Sequence, residues 1–380
     1  MSEKVKEKYH ILYIVSTLQR CGPVNILYNL VRNIDQNKFI ISILTLSPEE
    51  DNSRENDFYM LNINVYKLNL SRFKMYLFGK RCFAKLIKQL SPDIIHTHGF
   101  RADYYAKDYG KTKKIFSTIQ NYPHKDYPML YGRILGSLMA RKQIEMIRLT
   151  KNSVACSQAV SSELRDKFKA ETQVIYNGIN IDKFKMVDTH DKSYLRQKLK
   201  IQNETKVFLF VGVLVERKNP IFLIEAFINS DAKNNNLLIV IGDGSLLEQC
   251  RKMQSDKIRI IGKVCDNESY LEYLNVSDIF ISASQAEGLP TAVLEAMSVG
   301  LPVLLSDIQP HKEIIELNPL AGRLFPLQNK KELINLINSA ERLDIISMGK
   351  EARTTVEMNF TDKIMSRRYE EMYLETLGNM

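Results

Sequence analysis

The most constraining feature of this chain is an alternation that runs from end to end. Short β-branched runs, each about one strand long, are separated by longer stretches with helical periodicity, which predicts parallel sheets covered by helices. The first series of candidate strands comprises His10–Ser16, Phe39–Leu46, Asp93–His98, Lys114–Ile119, Ser153–Cys156 and Gln173–Tyr176. A second series follows at Lys206–Val211, Leu237–Ile241, Ile258–Ile261, Ile279–Ser282 and Pro302–Leu305. At roughly 100–200 residues per domain, 380 residues hold two doubly wound α/β domains. Asp182–Ser193 is polar, charged and free of apolar periodicity, and a helical Tyr194–Leu199 follows it. The first domain is therefore expected over residues 1–185 and the second over 190–361. Ligands of such folds bind outside the carboxyl ends of the strands, so chemistry is expected in a cleft onto which both sheets open.

Charge and composition narrow the class. With 44% hydrophobic and 26% charged residues, the chain is neither disordered nor collagen-like. No apolar stretch approaches the roughly 20 residues of a membrane-spanning helix. The charged start, Met1–His10, is followed by a strand-length run without a small-residue cleavage pattern, so no signal peptide is read and a cytoplasmic location is expected. Five scattered cysteines without a Cys-x2-Cys pair argue against a disulfide framework or a zinc ribbon. The net charge of +9 is uneven: 30 Lys and Arg face 18 Asp and Glu through His190, while 23 face 26 in the remainder. A basic first half suits nucleic acid, an anionic membrane surface or a phosphorylated substrate. Without aromatic RNA-binding signatures, finger spacings or helix-turn-helix patterns, no nucleic-acid partner is expected.

Ser284–Leu301, SQAEGLPTAVLEAMSVGL, is the most informative segment. A strand ends, a loop carries Glu287 and Gly288, and a helix opens with Pro290 in its first turn, where a missing N–H costs nothing. The start of such a helix offers unpaired amides and a partial positive charge to a pyrophosphate, with Thr291 and Ala292 as donors. Glu295 follows Thr291 by four residues, shares its face, and can accept hydrogen bonds from both ribose hydroxyls. Glu287 then meets the sugar. The competing reading makes Glu287 a helix cap and Glu295 a solvated surface acid.

These residues resemble the retaining glycosyltransferases of family 4. The Glu-x7-Glu motif stands as Glu287 and Glu295 in EGLPTAVLEAMSVGLPV, and four further segments fall in the same order. They are SPDIIHTHG from Ser91, VIYNGINIDKF from Val174, LLIVIGDGSLL from Leu237 and IRIIGKVCDNESYLEYLNVSDIFISAS from Ile258. The resemblance implies a GT-B architecture, two Rossmann-like domains facing across a cleft, with the last helix, within 362–380, crossing back onto the first domain. Packing of that helix on the second domain alone is the alternative. The resemblance assigns Glu295 to the ribose, Glu287 to the donor sugar, and Lys218 to the diphosphate charge that develops as nucleoside diphosphate leaves. Gly288, Leu289 and Val264 fall in the same donor-binding segments.

The chain departs from the family pattern in two places. Where Gly-Arg is usual it has Gly212 and Val213, so a second cation at the phosphates is missing; Arg217, beside Lys218, is the candidate substitute. Where the family commonly carries a histidine facing the donor sugar and acceptor, it has Gln120, which can orient hydroxyls but cannot exchange a proton near neutral pH. His124 could fold back to assist, and with Asn121 and His98 it completes the acceptor-side candidates. His96 and His98 share a strand face, yet no third or fourth ligand lies nearby in sequence, so no metal site is expected. Gly22, in the loop Leu18–Asn25 before a helix over Val24–Ile34, stands where the family has a Gly-Gly pair near the donor phosphates. In IGDGSLL, Leu247 replaces the third glycine of a dinucleotide fingerprint, which leaves a structural turn around Asp243 and Gly244.

The expected protein is a retaining, metal-independent enzyme without cofactor. It moves a sugar from a nucleoside diphosphate sugar, by default a UDP-sugar, to a hydroxyl acceptor, with a lipid-linked saccharide of surface polysaccharide assembly as the expected case. The mixed basic and apolar stretches Arg72–Leu90 and Tyr127–Lys151 suit peripheral docking at the inner, anionic face of the plasma membrane, or else are core helices with solvated basic faces. A nucleotide-sugar epimerase of the same fold and a non-catalytic nucleotide-sugar-binding scaffold are the alternatives.

Overall fold

In the computed structural model, which describes residues 8–109, 114–231 and 235–378, both series of strands assemble into parallel sheets. The first contains β1 (Tyr9–Val15), β2 (Phe39–Thr45), β3 (Asn64–Lys67), β4 (Ile94–His98), β5 (Lys114–Ile119), β6 (Asn152–Ala155) and β7 (Gln173–Val174). The second contains β8 (Lys206–Val211), β9 (Asn236–Ile241), β10 (Ile258–Gly262), β11 (Ile279–Ser282), β12 (Val303–Ser306) and β13 (Gly322–Phe325). Their orders are β3-β2-β1-β4-β5-β6-β7 and β10-β9-β8-β11-β12-β13. Both are doubly wound orders that reverse direction once, between β1 and β4 and between β8 and β11. At such a reversal the loops after neighbouring strands diverge and leave a crevice at the carboxyl ends.

The central strands are buried on both faces, as a helix-covered parallel sheet requires. Ile11 to Ile14 are fully buried, and so are Phe208 and Leu209. The two strands the sequence pattern did not single out, β3 and β13, each lie at one edge of their sheet. NVYK is half-exposed and GRLF buries only its first and last residues, so neither carries the apolar run that marks the interior strands.

The chain divides into two units, one ending at Gly178 and resumed at Asp362, the other Ile179–Thr361. The division falls before the expected residue 185 for a local reason. Ile179 N donates to Phe360 O at 2.9 Å, so the entering and leaving segments of the second unit pair with each other at once. The following helix is Thr189–Lys198, earlier than expected, because the Asp188 carboxylate accepts from Asp191 N at 2.8 Å and starts it.

The last helix, Asp362–Leu377, belongs to the first unit, where Met365, Tyr369, Met372 and Tyr373 are buried among residues of β1, β4 and β5. A polar chain fixes its register: Tyr373 Oη lies 3.0 Å from Tyr13 Oη and 2.6 Å from His96 Nδ1, and Tyr369 Oη lies 2.8 Å from Thr118 Oγ1. His96 Nε2 also meets Thr118 Oγ1, at 2.7 Å. Both of its ring nitrogens are therefore spent on structure.

Candidate active site

In the second unit the loops after β8 and β11 flank the reversal of strand order, and a backbone hydrogen bond from Gln285 N to Arg217 O, 2.8 Å, joins them. Residues 216–218 form a single 3-10 turn ahead of the helix Pro220–Ile228. Lys218 therefore sits in the turn rather than on the helix. Its aliphatic chain runs past Gly212, where an added Cβ would lie 3.7 Å from Lys218 Cδ and Cε.

The glycine turn after β9 holds this loop from beneath. Gly242 has φ +150°, and a Cβ there would stand 1.8 Å from Gly212 O; Leu214 N donates to Asp243 O at 2.9 Å. No side chain fits so close to the Gly212 backbone. The segment IGDGSLL thus acts as a clamp on the loop that carries Lys218.

Lys218 Nζ and Arg217 Nη1 converge on Glu287. Lys218 bonds Oε1, and Arg217 reaches Oε2 at 3.2 Å while also donating to Ala286 O at 2.5 Å. Glu287 is 6% exposed. Burial alone would push its carboxyl up, but the two cations overcome this and hold it at about 2. The result is a buried carboxylate, ionised at neutral pH, with a lysine and an arginine on its two oxygens.

Helix Thr291–Ser298 begins directly after this loop. Pro290 is its N-cap rather than part of its first turn, and no side chain caps it, so Glu287 is not a capping residue. The first helical bond runs from Val293 N to Pro290 O at 3.0 Å, which places the amides of Thr291 and Ala292 ahead of the ladder. One turn on, Glu295 accepts a 2.6 Å hydrogen bond from Tyr270 Oη, and burial raises its carboxyl above the usual range. It is a held, half-buried acid rather than a solvated one. Gly288 and Val264 are half-buried, Leu289 is buried, and Val213 is 55% exposed, with nothing charged in the place of the usual arginine.

His311 is fully buried on the next loop-and-helix connection, after β12. Its Nδ1 lies 2.8 Å from Ser306 O, and burial pushes its pKa down to about 4.

In the first unit the candidates gather at the ends of β4 and β5. His98 closes β4, is 8% exposed, and has no hydrogen-bond partner for either ring nitrogen among the described residues. Burial pushes its pKa down to about 4. Gln120 follows β5; Asn177 Nδ2 donates to its Oε1 at 2.6 Å, and its buried Nε2 is unmatched among the described residues. Asn121 follows Gln120 and acts on the hydroxyl of buried Tyr127, which itself donates to Gln143 Oε1. His124 does not fold back: its Nε2 meets Glu163 at 2.9 Å, on the helix Gln158–Phe168.

Gly22 opens the helix Gly22–Val31, earlier than the expected Val24, with Cys21 at the N-cap. An added Cβ would meet no protein atom within 4 Å. The protein's own packing does not demand a glycine there.

Comparison with known proteins decides the family. The model for Glycosyltransferase Family 4 matches residues 21–183, and that for glycosyl transferases group 1 matches 191–355. The chain belongs to the family-4 glycosyltransferases. It is similar to the O-antigen biosynthesis glycosyltransferase WclY of Escherichia coli, 24% identical over 96% of this chain and 97% of that one. It is also 24% identical to UDP-Gal:alpha-D-GlcNAc-diphosphoundecaprenol alpha-1,3-galactosyltransferase of Escherichia coli, over 84% and 82% of the two chains. The crystal structure of Anabaena HepE in complex with UDP-glucose superposes with a TM-score of 0.79 at 17% identity, over 96% of this chain and 99% of that one. The fold of this glycosyltransferase is accordingly GT-B, and several of its relatives are named for O-antigen or capsular polysaccharide biosynthesis.

Three residues at these sites were not read from the sequence of this glycosyltransferase: Tyr270 behind Glu295, Asn177 behind Gln120, and His311. Tyr270 and Asn177 lie within segments already marked by the family resemblance, which was the available signal. His311 is a single histidine at the start of a helix and carries no such mark.

Proposed function

We propose that this glycosyltransferase transfers a sugar, with retention of configuration, from a nucleoside diphosphate sugar to a hydroxyl of a lipid-linked saccharide. UDP is the base we favour, supported by the likeness to HepE with UDP-glucose. The lipid-linked acceptor is supported by the diphosphoundecaprenol substrate in the name of the Escherichia coli relative.

The observation that carries the reading is the buried Glu287 carboxylate clamped by Lys218 and Arg217, directly ahead of the open amides of Thr291 and Ala292. Lys218 and the helix start supply the positive field that a leaving diphosphate needs, so no divalent metal is required for that task. As the donor enters, its diphosphate takes up Lys218 and the amides, and Glu295, steadied by Tyr270, receives the ribose hydroxyls. Glu287 faces the sugar. The acceptor hydroxyl attacks the anomeric carbon on the face the diphosphate leaves, and a diphosphate oxygen takes its proton. Gln120, held by Asn177, orients hydroxyls on this path and cannot shuttle the proton itself. Gly22 leaves room for a ligand to approach its backbone. We place His98, Asn121 and the Glu163-paired His124 on the acceptor side.

The acceptor's lipid calls for a surface at the membrane. In the helix Arg133–Leu149, the buried face is made by Ala140, Ile144, Met146 and Ile147, while Ile134, Leu135 and Leu138 stay exposed beside Arg133, Arg141 and Lys142. Tyr76 and Leu77 are likewise exposed on the helix Arg72–Leu90. Apolar groups left outside the core among cations support peripheral docking on an anionic bilayer.

The test is incubation with a panel of nucleotide sugars, with and without EDTA. Slow release of free sugar and nucleoside diphosphate, insensitive to EDTA, is expected. An isomerised donor would instead make the chain an epimerase, and binding without turnover a scaffold.

A further inference from the structure

His311 occupies the first turn of the helix Gln309–Leu317, and one corner of its buried ring has no hydrogen-bond match among the described residues. Its Nδ1 lies 2.8 Å from Ser306 O, and a carbonyl oxygen only accepts, so the ring proton is on Nδ1. Ser306 Oγ is also near, at 3.2 Å, but its own hydrogen is given to Ser284 O at 2.6 Å. Nε2 is therefore a bare lone pair. No group among the described residues donates to it. Buried polar atoms are nearly always matched, and an exception calls for a reason.

Its position supplies one. Ser306 ends β12, and Ser284 stands just past the end of the neighbouring parallel strand β11, three residues before Glu287. The Ser306–Ser284 hydrogen bond ties the two connections together at the carboxyl ends of the sheet, with His311 anchored to one and Glu287 carried on the other. The charges that bear on the ring are those of Glu287 and Lys218. An acceptor nitrogen on the connection tied to the one that carries Glu287 cannot serve the diphosphate, whose oxygens also only accept. It can serve a hydroxyl.

We propose that His311 Nε2 accepts a hydrogen bond from a hydroxyl of the sugar being transferred, and so helps decide which sugar is taken. This rests on the donor reading above. Glu287 and His311 then form a pair of acceptors that recognises hydroxyls by their placement. An uncharged ring at neutral pH keeps that lone pair free, so His311 acts as a fixed acceptor and not as an acid.

The experiment titrates the full chain and its His311→Leu variant with UDP and with UDP-glucose, UDP-galactose and UDP-N-acetylglucosamine, carrying forward the tightest sugar nucleotide. The variant should bind UDP as the unaltered chain does and the sugar nucleotide about tenfold more weakly. Retained UDP binding shows that the variant is folded. Independently, the nitrogen NMR signal of His311 Nε2 in the unaltered chain should move with the sugar nucleotide and stay in place with UDP. Equal affinity changes for UDP and sugar nucleotide, or an Nε2 signal indifferent to the sugar, would overturn the proposal and leave the donor reading intact. An unaltered chain that binds none of the four nucleotides would overturn the donor reading itself, and this proposal with it.

Discussion

Tyr270 and Glu295, 25 residues apart on different helices, meet in a 2.6 Å hydrogen bond in which the phenol donates to the carboxylate. Burial raises the Glu295 carboxyl, and Tyr270 is the strongest influence against it, so the phenol keeps the acid available as an acceptor. Tyr270→Phe should let the carboxyl rise further. UDP affinity should then fall by roughly ten- to a hundredfold, the worth of one hydrogen bond to a charged group, with the optimum of binding displaced to higher pH. Calorimetric titration from pH 5.5 to 8 checks both; an unchanged pH profile would separate Tyr270 from the ribose-binding acid.

Lys218→Met should damage stability as well as activity. It leaves the buried Glu287 carboxylate with Arg217 alone, and breaking a buried pair from one side costs about 3–5 kcal/mol. Adding Glu287→Gln removes the stranded charge and should recover a large part of that loss while activity stays abolished. Urea unfolding of the two single variants and the double variant measures the coupling. A double variant no more stable than Lys218→Met would mean that the pair carries no such electrostatic load.

Arg217→Ala tests which role its cation plays. The guanidinium binds Glu287 and Ala286 O, so its removal should loosen the Glu287 loop, and turnover should fall more than UDP affinity does. Equal losses in the two would return Arg217 to the phosphates as substitute for the arginine that Val213 replaces.

How much of this was legible depended on whether the physics is local. The interior strands announce themselves because a strand covered on both faces must be apolar throughout, and β5, β8 and β11 have the bounds read from sequence. The edge strands β3 and β13 bury little and left no such trace. Glu287, Lys218 and Glu295 were legible through motif spacing, and the helix start through Pro290, displaced by one position to the cap. Their partners were not: that Arg217 would choose a carboxylate, that His124 would be spent on Glu163, and that Tyr270 would stand behind Glu295 are long-range pairings without sequence periodicity. The unmatched nitrogen of His311 could not be foreseen, because a missing partner becomes visible only once every neighbour is in place.

Acidification should destabilise the chain well above the carboxylate range. His98 and His311 are pushed by burial from the ordinary 6.5 to about 4. Between these values the unfolded chain binds protons that the folded chain does not, so the stability these two rings confer is full above about pH 6.5 and is lost as the pH drops through about 4, while His96, pushed well below its ordinary value by burial, extends the loss to lower pH. His98 and His311 each contribute on the order of 3 kcal/mol. Glu287, lowered from 4.5 to about 2, adds a later loss across that interval. The two histidines lie in different units, so His311→Leu should flatten the pH dependence of the second unit's unfolding only. Denaturant melts at pH 7, 6, 5 and 4.5 read this slope, and a midpoint constant over that range would contradict the buried neutral rings.

The exposed face of the helix Arg133–Leu149 makes the membrane reading quantitative. Ile134 is 82% exposed and Leu138 61%, one turn apart, with Arg141 a turn further on. If these apolar groups enter the headgroup region while the cations meet anionic lipids, the two contributions should separate by salt. Arg141→Glu with Arg148→Glu should abolish most binding to phosphatidylglycerol vesicles at low ionic strength, since each cation near such a surface is worth about 1 kcal/mol. Ile134→Ser with Leu138→Ser should instead weaken the residual binding that survives high salt, where screening leaves only apolar burial. Both pairs belong to the first unit, while Glu287, Lys218 and the Thr291 helix start belong to the second, so hydrolysis of a soluble donor should be unchanged in both while transfer to a vesicle-borne acceptor falls. No sedimentation with anionic vesicles at low salt would remove the surface from the account and leave the exposed leucines for another partner.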